Sequence, residues 1–173
     1  EQIIILAMEI MLFLILACSI SGEAAQGVQI DSDNLTVNSG FEILSEGKPA
    51  SWKEDKRGGW KVSKEEPYEG ERCMEATVAW SWLSQEIKVK GGKSYLFRAF
   101  VRSDITLPEK KDYYNSFLAL QYLDEENKVI KEEYGVVNAA ASWQKKMRQI
   151  YISSEIAKLR IRLAKRQGEG SVW

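Results

Sequence analysis

The sequence contains no histidine. Without one there is no Ser-His or Cys-His nucleophile and no imidazole base, which excludes the commonest acyl-transfer chemistries. A glycine-rich phosphate loop and clustered metal ligands are missing too. Cysteine is scarce: Cys18 and Cys73 are the only two, too few for a disulfide framework. If Cys18 is processed, Cys73 stands alone and is expected as a small buried residue. There is no basic excess. Residues 1–26 hold Glu1, Glu9 and Glu23 and no Lys or Arg, and the remainder carries 24 basic groups against 22 of the 25 acidic ones. That balance excludes a nucleic-acid footprint. No Glu-x-Asp-x-x-Glu spacing, which would set alternate carboxylates on one strand face for glycoside hydrolysis, occurs. Glu125-Glu126 and Glu132-Glu133 read as solvated pairs flanking a turn.

What is present begins with an apolar run. Ile3–Ile20 is almost wholly apolar, broken by Glu9, and turns polar at Ser21-Gly22-Glu23. From Met8, an apolar stretch over Ile10–Ala17 has signal-peptide rather than membrane-span length, although no positive charge precedes it. Leu14-Ile15-Leu16-Ala17-Cys18 is a loose lipobox, in which Cys18 would carry lipid; cleavage near Ala24-Ala25 or an uncleaved anchor are the alternatives. Residues 1–26 are therefore expected as a signal peptide or lipoprotein signal, 27–33 as a linker and 34–173 as one domain. The chain reads as a piece of a longer reading frame whose closing strand is cut. The expected location is extracellular or cell-surface, with membrane contact only through that N-terminal segment.

From Leu35 onward short period-two runs recur between turn residues. Met74, Ala76 and Val78 alternate with Cys73, Glu75 and Thr77, a strand running to Trp80. Leu83, Gln85, Ile87 and Val89 share a face before Gly91-Gly92; Tyr95, Phe97, Ala99 and Val101 oppose Leu96, Arg98, Phe100 and Arg102. Leu118, Leu120 and Tyr122 precede an acidic turn at Asp124–Asn127 and then Val129-Ile130, and Leu159, Ile161 and Leu163 alternate with Lys158, Arg160 and Arg162. Trp143–Ser154 fits a strand only with a register break. Many short strands with turn signals and no helical period predict an all-β antiparallel sandwich or barrel.

Specific motifs sharpen this. Asn38-Ser39-Gly40-Phe41-Glu42 and then Pro49-Ala50-Ser51-Trp52 resemble the opening of the jelly-roll carbohydrate-binding modules of the family 4/9-like, galactose-binding-like type. Gly70-Glu71-Arg72-Cys73-Met74, the hairpin Gln85-x-Ile87-x-Val89-x-Gly91-Gly92-Lys93-x-Tyr95, Leu118–Val129, Trp143 and Gly168–Trp173 follow in that family's order. The resemblance implies a jelly roll, a polysaccharide or oligosaccharide partner and no catalysis. It also implies a structural calcium, with Glu42 as one of its oxygen ligands.

A sugar face needs flat aromatics over pyranose faces and planar polar groups for vicinal hydroxyls. Trp52 and Trp143 read as plugs at strand ends. Trp82 lies opposite Leu83 and Gln85, a large aromatic on the polar side, and so is the expected platform, with Trp80 beside it. Tyr113 and Tyr114 sit in a polar loop, where binding groups commonly lie. Arg98, Arg102, Arg160, Arg162 and Gln121 point away from their apolar rows; on one sheet they would form a hydrogen-bonding face suited to an acidic glycan. The expected carbohydrate site is thus Trp82, Trp80, Tyr113, Tyr114, Arg98 and Gln121. A structural or adhesion sandwich without a sugar site is the alternative.

Overall fold

Alternating burial turns the second half of the chain into long strands. A computed structural model describes residues 34–106, 116–137 and 140–173; the expected N-terminal signal, Cys18, Tyr113 and Tyr114 lie outside them. The described residues form eleven strands and no helix. These are β1 (Leu44–Ser45), β2 (Lys48–Pro49), β3 (Lys53–Glu54), β4 (Trp60–Ser63), β5 (Cys73–Ala76), β6 (Ser81–Lys88), β7 (Lys93–Ser103), β8 (Ser116–Leu123), β9 (Val129–Val137), β10 (Ala140–Ile152) and β11 (Lys158–Lys165).

They build the two sheets of a jelly-roll sandwich. The front sheet runs β3-β6-β11-β8-β9, antiparallel throughout. The back sheet is made of two pairs, β4-β5 and β7-β10, joined among the described residues where Val172 bridges Ala76 and Ser103. Between the sheets Leu120, Tyr122, Leu159 and Ile161 of the front meet Ile150 and Ile152 of the back, with Trp52, Tyr95 and Phe97 packed against them. Each such side chain contributes about 1.5–3 kcal/mol by leaving water. Cys73 is buried beside Met74, as a lone small residue should be.

Turn chemistry fixes the connections. Gly91 could carry no side chain, since a Cβ would stand 2.7 Å from the Ser154 Cα, and Gly92 needs φ +74°. In the opening motif, Asn38 and Phe41 take positive φ, so this stretch is a turn and not a strand. The Asn38 side chain stitches it: Oδ1 accepts from Ile43 N–H (2.9 Å) and Nδ2 donates to the carbonyls of Ile43 and Ala50. Trp52 Nε1 donates to the Asn38 carbonyl, and its ring meets Phe41 at 5.1 Å.

Three expectations need correction. The strand through Met74 stops at Ala76; Trp80 stands in a turn at φ +63° and shares no face with Met74. Glu132 and Glu133 do not flank a turn but lie inside β9. Inward-facing Glu133 is held by Tyr122, Lys131 and Arg148, the last at 3.0 Å, closing the sandwich edge between β9 and β10. The arginine row is split: Arg98 and Arg102 ride on β7 in the back sheet, Arg160 and Arg162 on β11 in the front. Side-chain parity gives the face a residue takes, and sheet membership is a separate, long-range fact.

The Glu133 edge makes stability depend on pH at both extremes. Burial pushes the Glu133 carboxyl up, but hydrogen bonds from Lys131 and Tyr122 and the Arg148 charge outweigh it and leave it below the ordinary 4.5. Burial, then the Glu133 hydrogen bond, pushes Tyr122 from 10 up to about 12. A depressed carboxyl stabilises above 4.5 and loses that contribution as pH falls through its folded value. A raised phenol stabilises fully below 10 and loses it as pH climbs toward 12. Urea midpoints from pH 3 to 11 should therefore fall at both ends, and Glu133→Gln should flatten the acid limb. An acid limb of unchanged slope in that variant would refute the assignment.

Candidate functional site

The outer face of the front sheet is set by parity and register. With Leu118, Leu120 and Leu163 turned inward, Ala119, Gln121 and Arg162 turn outward. Ladder pairing then aligns two rows across β6, β11, β8 and β9. One is Ser84–Arg162–Ala119–Tyr134 and the next is Glu86–Arg160–Gln121–Glu132. At ordinary strand spacing each row spans roughly 14 Å.

The floor of this face is made of small residues. Ala119 is 0% exposed and Ala164, aligned with Trp82, is 3%. The Trp82 ring packs against both alanines, and the Arg162 guanidinium stacks on it at 3.4 Å. A second pair follows along the same seam, Arg166 over Trp80 at 4.8 Å. Such cation–π layers hold the planar groups flat over the alanines. On the other flank stands Tyr134, 55% exposed, its hydroxyl donating to Glu132. The face is thus a planar surface: an indole–guanidinium layer covers the alanines, with an exposed phenol on the other flank.

Its polar row is a closed network. Arg160 donates to Glu86 (2.8 Å from Nε) and to the Gln121 carbonyl (2.9 Å). Gln121 donates to Glu132 (2.9 Å), and Arg162 reaches the same carboxylate at 3.4 Å. Two guanidiniums and two carboxylates offset one another here, and the planar groups are locked in position. Burial lowers the Arg162 pKa from its ordinary value, opposed by Glu132. The hydrogen bond to Glu132 raises that of Tyr134.

The structure gathers some of the expected site residues and separates others. Trp82 and Gln121 share the front face, with Trp80 at its rim, where Trp80 N–H donates to the Arg166 carbonyl (3.0 Å). Arg98 lies on the back sheet, its guanidinium 6.0 Å from the Phe100 ring, so it takes no part in this face. Tyr113 and Tyr114 lie outside the described residues. Tyr134 is the residue that sequence reasoning missed. Ile130, Glu132 and Tyr134 do alternate, but the charges beside them read as a turn. Trp52 packs against the core as expected of an end plug, but Trp143 joins no core cluster: it lies beside Tyr68 and the Arg102 guanidinium, with Nε1 donating to the Glu66 carbonyl (2.8 Å).

Glu42 does not fit a calcium ligand. One carboxylate oxygen accepts from Glu71 N–H (2.8 Å) and Arg72 N–H (3.0 Å), and the other faces the Arg72 guanidinium at 3.0 Å. These hydrogen bonds, the one from Glu71 N–H foremost, hold its pKa below the ordinary value. A hard cation needs six to eight oxygens at about 2.3–2.6 Å, and here three N–H donors already engage the carboxylate. Among the described residues no group of three acidic or thiol ligands comes together. Chelation with EDTA should accordingly leave the melting temperature unchanged, whereas a rise of several degrees on adding calcium would restore the metal.

No protein-family model matches the chain, and no curated protein matches it. Among solved structures it is similar to the enzymatically active domain of tailspike protein 4 of bacteriophage CBA120, with a TM-score of 0.60 and 9% identity over 80% of this chain and only 20% of that one. It is also similar to the family 61 module TmCBM61, solved with β-1,4-galactotriose (TM-score 0.54, 20% identity, 82% and 92% covered). The CBM22-1 xylan-binding domain of Paenibacillus barcinonensis Xyn10C gives a TM-score of 0.51 at 18% identity, with 81% and 88% covered. At these identities the likeness establishes the fold, the jelly roll shared by carbohydrate-binding modules.

Proposed function

We propose that this jelly-roll sandwich binds a polysaccharide without acting on it, along the outer face of its front sheet. The observation that carries the reading is this planar surface itself. Trp82 with its Arg162 cap lies flat over the buried alanines, Tyr134 stands exposed on the other flank, and Gln121, Arg160 and Glu132 hold fixed donors and acceptors between them. Arg160 and Arg162 each face a carboxylate, while Arg166 over Trp80 and the paired Lys88 and Lys158 of the next row add positive charge to the same face. The same pairing argues against hydrolysis, since Glu86 and Glu132 each engage a guanidinium and neither stands free as a general acid. Similarity to modules solved with or named for β-1,4-galactotriose and xylan supports a glycan partner.

Export is part of this reading: the apolar segment before Ser21 would send the domain to the cell surface, with Cys18 as the lipid attachment point. An accessory place beside a glycan-active enzyme, or in a surface lipoprotein, follows from such a role. Mass spectrometry of the exported protein, reading its N-terminal residue and mass, tests both points.

The function is tested by affinity electrophoresis against neutral and acidic polysaccharides. The expected result is retardation by at least one of these polymers. No retardation in any gel would favour a structural or adhesion sandwich.

A further inference from the structure

The rim of the front face holds one residue in a strained conformation. Trp80 takes φ +63°, a left-handed backbone that a bulky side chain rarely adopts. Two arginines hold it there. The Trp80 N–H donates to the Arg166 carbonyl (3.0 Å), and the Trp80 carbonyl accepts from Arg57 Nη1 (3.0 Å). The Arg166 guanidinium then lies over the Trp80 ring, 4.8 Å from its centroid. Strain of this kind persists only where the surroundings over-determine it, and it gathers at ligand sites.

The guanidiniums at this rim differ from those at the centre of the face. Arg160 and Arg162 each face a carboxylate, Glu86 and Glu132. Arg57 and Arg166 form no ion pair among the described residues. Arg57 meets a carbonyl, while the Asp55 carboxylate beside it accepts from the Arg57 main-chain N–H (3.1 Å). Arg166 Nε is buried and has no acceptor among the described residues, and a buried donor is ordinarily satisfied. Arg166 also belongs to the same face as Tyr134. The Glu132 hydrogen bond raises the Tyr134 pKa, and the charges of Arg162 and Arg166 oppose it, so both guanidiniums stand close to that phenol. Further cations line this side: Lys53 pairs with Ser84, and Lys88 lies directly opposite Lys158. Like charges in direct opposition are unfavourable across a ladder, and a ligand of opposite sign would relieve them.

We infer that the Trp80 rim is an anion subsite, where Arg57 and Arg166 take an acidic substituent, carboxylate or sulfate, of the glycan. Guanidinium meets such groups through two parallel N–H···O bonds, and an indole beneath it holds the plane in place. An acidic oxygen held there would supply the acceptor that Arg166 lacks. The ligand class is then an acidic polysaccharide, its sugar rings over Trp82 and its charged group at the rim. The assignment rests on the proposed binding of glycan by the front face.

Titration with galacturonate, galactose 6-sulfate and galactose, followed at the arginine Nε–H resonances, tests it. The Arg166 signal should move with one or both acidic sugars and stay with galactose; the sugar that moves it tells carboxylate from sulfate. In affinity electrophoresis polygalacturonate should retard the protein at least about tenfold more strongly than its methyl ester. Arg166→Gln and Arg57→Gln should each cut that ratio severalfold. Arg57 is exposed, so its variant should keep the melting temperature. An Arg166 signal that ignores both acidic sugars, or retardation by neutral polymers alone, would overturn the subsite and leave glycan binding intact. An Arg166 signal that answers an acidic sugar, with no polymer retarding the protein, would keep the anion subsite and sink the polysaccharide reading.

Discussion

Trp82→Ala should lower affinity for the bound polysaccharide about 100-fold while the chain still folds. The indole covers the buried alanines at the centre of the face, and Arg162 lies flat upon it. Truncation removes both planar surfaces at once. A central aromatic of this kind is worth about 2–4 kcal/mol, and each 1.4 kcal/mol is tenfold in affinity. Because the ring is half-buried against Ala119 and Ala164, stability also falls, so near-ultraviolet circular dichroism must show that the variant is folded. Tyr134→Ala separates the two effects. That side chain is exposed, so its loss should barely move the melting temperature and yet weaken binding about tenfold. Full binding by a folded Trp82→Ala protein would remove the front face from the account.

The second large effect is on stability. Gln85 is 4% exposed in the core, where an apolar residue would be expected from its row. Its Oε1 accepts from Val37 N–H (2.9 Å), and its Nε2 donates to the carbonyls of Val37 (2.8 Å) and Ser51 (3.2 Å). It thereby pins both arms of the opening turn to β6. Gln85→Ala should cost about 2–4 kcal/mol, through lost bonds and the main-chain groups left unpaired. For a domain of this size that is roughly 5–15 °C in melting temperature. Gln85→Glu is the sharper variant: it keeps the shape but turns a carboxylate oxygen toward two carbonyls. If packing alone mattered, Glu would be mild; if the hydrogen bonds matter, it should be at least as damaging as Ala.

Much of the fold was legible because period-two burial is written locally. The inward rows Leu83–Gln85–Ile87, Tyr95–Phe97–Ala99–Val101 and Leu159–Ile161–Leu163 follow from alternation alone, and so does the outward placing of Trp82 and Gln121. The register break expected near Trp143 is the shift between Ala140 and Gln144. What alternation does not carry is pairing at long range. β9 looks too charged for a strand, yet Glu132 and Glu133 are neutralised by partners as distant in sequence as Arg162 and Arg148. The same limit hid the split of Arg98 from Arg160. Trp80 was misplaced because a positive φ in a residue other than glycine leaves no local signature. Glu42 was the subtlest case. Its motif marks the turn correctly, but whether its carboxylate meets a cation or a guanidinium depends on Arg72, thirty positions along the chain.

The central claim is that glycan lies along the outer face of the front sheet, over Trp82 and Arg162. A titration followed by amide and indole chemical shifts, using soluble oligosaccharides of the polymer that retards the protein, tests it most directly. The account predicts shifts concentrated at Ala119, Tyr134, Arg162 and the Trp82 indole, with β7 and β10 unmoved. Shifts confined to the back sheet, or none with any oligosaccharide at millimolar concentration, would contradict it.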